Sequence, residues 1–124
     1  MANTNQLVTS IVEGILEIKG EDVTIIDLSK IPNAVTERLI ICTGNSDTHI
    51  ESISSSIVDV VSKSLNEKPW HSEGKTNKEW ILLDYSNVVV HLFKHETRNR
   101  YNLEGLWGDG DITRINTEQE SLPK

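Results

Sequence analysis

Between Trp80 and Phe93 lie two near-continuous apolar runs, Trp80–Tyr85 and Val88–Phe93, parted only by Ser86 and Asn87. Runs this short, separated by two residues, read as neighbouring strands of a tight hairpin. Both faces of both strands are largely apolar, which places them in the middle of a sheet that carries helices. The few polar side chains that interrupt these runs are where function is to be sought.

The rest of the chain supplies the helices and the other strands. Leu7, Ile11, Ile15 and Ile18 recur at helical spacing with Val8 and Val12 beside them, and Gly20 stops the run, so a first helix is expected over residues 5–19. Val23–Leu28 and Arg38–Thr43 read as strands separated by a loop at Pro32-Asn33. Beyond Gly44, one of Ser46, Asp47 or Thr48 caps a long helix. Its buried stripe is Ile50, Ile53, Ile57, Val60 or Val61 and Leu65, and it ends near Glu67 ahead of Pro69. Trp70 and His71 suggest a short strand, and Thr97 starts a last short helix with Leu103, Leu106 and Trp107 on one face. The order is αββαβββα: an α/β fold with a mixed sheet of about five strands flanked by helices. Residues 1–107 read as a single domain, and 108–124, opening with Gly108-Asp109-Gly110, as a flexible polar tail.

The formal charge of −7 argues against a nucleic-acid backbone as the main partner, because phosphate binding rests on clusters of Lys and Arg. Residues 108–124 hold four acids and two bases, so −5 remains on the folded part. A basic protein fits such a surface better. Cys42 is the only cysteine, which rules out an intrachain disulfide and suits a reducing interior. No apolar run approaches the roughly 20 residues needed to cross a bilayer, and Met1–Gln6 is short and polar; a cytoplasmic protein is expected.

Catalytic patterns fit poorly. Gly44-Asn45-Ser46 at a strand-to-helix corner has the place of a nucleophile, yet the sharp turn of such an elbow needs glycine two positions beyond the serine, where Thr48 stands. Helix capping explains Ser46 better. A metal clamp on Asp84 needs a second carboxylate on the same strand face, two positions away, and those positions are Leu82 and Ser86. His49, His71, His91 and His95 form no spacing typical of zinc ligands. The residues point to a binding protein with no catalytic group, metal or cofactor.

Taken in order, Glu73-Gly74, W-x-L-L-D-Y at 80–85, V-x-V-H-x-F at 88–93 and R-x-x-Y-x-L-E-x-L-W at 98–107 form an ordered set. With D-V-T-I-I-D-L at 22–28 and L-I-I-C-T-G-N-S-D-T-H-I at 39–50, this set resembles the ribosomal silencing factor family, RsfS or Iojap, over residues 5–107. The chain departs from that pattern at Glu37, where the family has aspartate after threonine, at Ser86, a usual turn glycine, and at Asn87, a usual acid. The resemblance implies a nucleotidyltransferase-like fold without its catalytic acids. It also implies binding to the large ribosomal subunit through ribosomal protein number fourteen, blocking the small subunit sterically and lowering translation when nutrients are scarce. Self-association as a homodimer is part of the same expectation. Motif positions make Glu73, Trp80, Asp84, Tyr85, His91, Arg98 and Tyr101 the candidate contact residues. Strand alternation divides them, with Trp80, Leu82 and Asp84 on one side and Ile81, Leu83 and Tyr85 on the other. The alternatives are a nucleotidyltransferase-like enzyme and an adaptor unrelated to the ribosome.

Overall fold

The computed structural model describes residues 3–74 and 79–115. In chain order the elements are α1 (Thr4–Glu17), β1 (Glu21–Asp27), β2 (Arg38–Gly44), α2 (Asp47–Leu65), β3 (His71–Glu73), β4 (Trp80–Asp84), β5 (Val88–Lys94), α3 (His95–Tyr101), α4 (Leu103–Leu106) and β6 (Asp111–Ile115). The strands form one mixed sheet in the order β3-β4-β5-β2-β1-β6. Its central pair, β2 and β5, is parallel, and the other four pairs are antiparallel. The expected mixed α/β fold is therefore present, with one strand more than expected. No helix of the described residues is long and apolar enough to cross a membrane.

Helix ends follow local chemistry. Asn3 accepts the backbone N–H of Gln6 at 2.8 Å while the Gln6 side chain accepts that of Asn3, a capping box that starts the helix one residue earlier than expected. Ser46 caps α2 by accepting the His49 N–H at 3.0 Å, so its hydroxyl is a cap and not a poised nucleophile. α1 closes on Lys19 at φ 57, not on Gly20. Gly20 is needed for room: a Cβ there would sit 2.4 Å from Ile15 Cγ2 and 2.7 Å from Cys42 Sγ.

α1 and α2 cover one face of the sheet, here called the inner face. Leu7, Ile11 and Ile15 meet Ile50, Ile53, Ile57 and Val61 above Ile40, Cys42, Ile81, Leu83, Val88, Val90 and Leu92, all essentially without solvent contact. The helices touch closely at Gly14, whose added Cβ would lie 2.8 Å from the Ile57 Cα. Ser56 Oγ donates to the Gly14 carbonyl at 2.7 Å beside this contact. Cys42 is buried here, and burial pushes its thiol up to about 12, far from a reactive thiolate.

The outer face is covered differently. Ile26, Leu28, Leu39, Ile41 and Phe93, with Val89 of β5 and Trp80 of β4, pack against Ile31 and Ala34 of the β1–β2 connection and Leu103 and Trp107 of α4 and its C-terminal cap. This cover reaches over β1, β2, part of β5 and Trp80 at the start of β4 but leaves the outer side of β3 and the rest of β4 open, so the expectation that both faces carry helices holds for only part of the sheet. Two more expectations change here. The closing helix is two short ones, broken at Asn102, which takes the left-handed conformation at φ 48. Leu106 then turns away from Leu103 and Trp107 and is 71% exposed. Third, residues read as a loose tail contain β6, which pairs along β1 from Val23↔Ile115 to Asp27↔Asp111. Its side chains are almost all exposed, so no apolar alternation announced it.

Candidate partner interface on the open sheet face

β4 turns Trp80, Leu82 and Asp84 outward, opposite Phe93, His91 and Val89 of β5. β3 adds Glu73 beside Leu82 and His71 beside Asp84 on the same face. Trp80, His91 and Phe93 form a layer of near-parallel rings, 5.7 to 5.9 Å apart at their centroids. Tyr101, at the end of α3, leans over Trp80 at 5.1 Å and is 52% exposed. Between α3 and the β3–β4 edge lies a cleft of about 240 Å³ lined by Glu73, Glu79, Trp80, Leu82, Arg100 and Tyr101 among others.

The Trp80 indole N–H donates to His91 Nδ1 at 2.9 Å, which leaves the ring proton of neutral His91 on Nε2. Burial pushes His91 down to about 4, so the ring is uncharged near neutral pH. It serves as a polar support for Trp80 within an aromatic layer, not as a base with a nearby nucleophile.

Asp84 has a local task. Its Oδ1 accepts the Ser86 N–H at 2.7 Å, and Asn87 N–H donates to the Tyr85 carbonyl at 3.0 Å, closing a γ-turn with Ser86 at φ 77. This conformation explains a glycine at that place in the resembling family. Thr36 Oγ1 donates to the Ser86 carbonyl, and Asn87 Nδ2 donates to Thr4 Oγ1, which in turn donates to Glu37. All three departures from the family pattern thus meet at one corner.

Two candidate residues sit elsewhere. Tyr85 is on the inner face, 3% exposed; burial pushes its hydroxyl up to about 12, and the oxygen has no partner among the described residues. Arg98 is 8% exposed and fully engaged: it donates to the Asp22 carbonyl at 2.6 Å, Thr43 Oγ1 at 2.7 Å, Thr24 Oγ1 at 2.9 Å and Glu104 Oε1 at 3.1 Å. Neither can reach a partner without unpacking, so the structure corrects their expected role to an internal one. Glu104 bridges Arg98 to Arg114 of β6 at 2.8 Å. Burial alone raises a carboxyl, but the hydrogen bonds from both arginines outweigh it and hold Glu104 below its ordinary value.

Glu73, Trp80, Asp84 and Tyr101 do come together on the open face, with His91 buried beneath them at 8% exposed. Trp70, expected to open the short strand, stands just ahead of β3 and is 84% exposed, its backbone N–H donating to the Asp84 carbonyl at 2.7 Å. A tryptophan directly after Pro69 and outside any apolar run was the available signal. Among the described residues no three His, Cys, Asp or Glu side chains are placed to hold a metal ion.

Comparison with known proteins fits this architecture. A family model described as "Ribosomal silencing factor during starvation" matches residues 1–124. The ribosomal silencing factor RsfS of Chromobacterium violaceum is 35% identical over 97 residues, 78% of each chain, and that of Bacillus subtilis is 34% identical over 97 residues, covering 78% of this chain and 80% of that one. The chloroplastic protein Iojap of Zea mays is 34% identical over 100 residues, which span 42% of its length. A crystal structure of a Chromobacterium violaceum protein superposes with a TM-score of 0.80 at 29% identity, covering 86% of this chain and 88% of that one. One from Bacillus halodurans gives 0.75 at 26% identity, covering 91% and 99%. Family model, relatives and fold agree, and the chain belongs to the ribosomal silencing factor family.

Proposed function

We propose that this protein lowers translation by docking its open sheet face on the large ribosomal subunit, through ribosomal protein number fourteen, so that its bulk keeps the small subunit from joining. The observation that carries the reading is the outer side of β3 and β4, where the half-exposed Tyr101 lies over the partly buried Trp80 beside Glu73 and Leu82, within a family of silencing factors. Exposed aromatic side chains on a small domain are the usual anchors of a protein interface. Glu73 and Asp84 beside them favour a basic protein and disfavour bare RNA phosphates. Steric occlusion needs no reaction, which suits a site without a nucleophile or metal clamp. A cytoplasmic setting and a homodimeric free form belong to the same proposal.

Light scattering of purified subunits provides the test. Added protein is expected to suppress formation of joined ribosomes, and Trp80→Ala is expected to relieve the suppression while large subunits alone no longer carry the variant down on sedimentation. Normal joining at saturating protein refutes the proposal.

A further inference from the structure

The cleft beneath Tyr101 combines two kinds of wall. Trp80 and Tyr101 form one, their rings tilted by 39° with centroids 5.1 Å apart, and Glu73 and Glu79 supply carboxylates to the other. Its volume of about 240 Å³ falls below the ~300–1,000 Å³ of sites that enclose small-molecule ligands, which suits one inserted side chain better than a cofactor. Aromatic faces attract a cation through the ring quadrupole, and carboxylates pair with it. A guanidinium satisfies both at once, being planar enough to lie on a ring while its edge donates hydrogen bonds; a compact ammonium does one or the other. Arg100 stands on the same cleft and repels an incoming cation, so the side chain that enters has to be long enough to pass it and reach the carboxylates.

We propose that this cleft receives one arginine side chain of the basic protein partner, its guanidinium resting on Trp80 and Tyr101 and hydrogen-bonded by Glu73 or Glu79. The inference rests on the proposed docking of the open face and supplies its selectivity: a partner lacking a cation at this point desolvates Glu79 and also Glu73, whose carboxylate otherwise meets the His71 ring at 3.4 Å, without compensation.

The test uses the full chain labelled with nitrogen-15, followed through the Trp80 indole N–H, which is assigned by replacing Trp70 and Trp107 with phenylalanine. N-acetyl-arginine amide is expected to shift this signal saturably. N-acetyl-citrulline amide, its neutral isostere, and the Glu73→Gln/Glu79→Gln double variant are each expected to weaken the response about two- to fivefold, the factor one exposed cation–π or ion-pair contact supplies. Arg100→Gln strengthens it. Equal responses to arginine and citrulline, or none at tens of millimolar, overturn the cleft. Sedimentation with purified large subunits separates the two levels of the reading. Wild-type protein that fails to sediment refutes the docking itself, whereas wild type and double variant sedimenting equally refute the arginine receptor alone.

Discussion

Beneath α1 and α2 the sheet is sealed with isoleucine, leucine and valine, and the Tyr85 hydroxyl is the one polar side-chain atom buried there without a partner among the described residues. Across the sheet the buried groups include Arg98, Thr24, Thr43 and His91, held by directional bonds, and aromatic rings run out into solvent. The inner face draws on non-directional burial, which tolerates exchange of one apolar side chain for another of similar volume. The outer face depends on a few contacts that have no substitute. Shape and display are thus assigned to opposite sides of one sheet.

The largest test of that contrast is Arg98→Met. It leaves Glu104 with Arg114 alone and takes a donor from the Asp22 carbonyl and from the Thr43 hydroxyl, so urea unfolding is expected to report a loss of about 2–4 kcal/mol. Ile53→Leu, inside the inner face, is expected to cost below about 1.5 kcal/mol. Equal costs erase the distinction. A second probe is pH. Because burial holds His91 near 4 instead of 6.5, the unfolded chain takes up a proton across that interval that the native chain refuses. Stability therefore falls as pH drops from about 6.5 to 4, by up to roughly 3 kcal/mol, and His91→Gln removes this component from a series of denaturation curves.

Gly14→Ala examines the inner face where it is least forgiving. The added methyl meets the backbone of Ile57, so the helices separate or shift, and thermal unfolding is expected to show a loss of about 1–3 kcal/mol without altering sedimentation of the folded fraction with large subunits. Smallest is Ser86→Gly. Relieving the positive φ at the turn is expected to add about 0.5–1 kcal/mol to stability. A loss there instead indicates that the turn is held by its side-chain bonds and not opposed by its backbone.

Legibility in the sequence followed the same division. The stripes of α1 and α2 and the run of β4 were readable because burial repeats with the period of the element, and those of β2 and β5 because strands buried on both faces leave short continuous apolar stretches. Alternation along β4 correctly separated Trp80, Leu82 and Asp84 from Ile81, Leu83 and Tyr85. β6 was invisible because its stabilisation comes from backbone pairing with β1 and from Arg114 reaching Glu104, neither of which leaves an apolar pattern. Arg98, a candidate contact residue by motif position, is held inside for a related reason: its partners Asp22, Thr24 and Thr43 lie far off in the chain, where no local spacing announces them. Asn102 shortened that helix through its left-handed backbone, turning Leu106 outward.

The parallel pairing at the middle of the sheet has a consequence for synthesis. Arg38 is matched with Val88 and Gly44 with Lys94, so β2 emerges from a translating ribosome long before the strand that completes it. Until then its apolar edge stands without its native neighbour, and Thr43 waits for a guanidinium that arrives later still. Local hairpins can form early, but the centre closes only once β5 is out, which makes its closure a later and less local event than theirs.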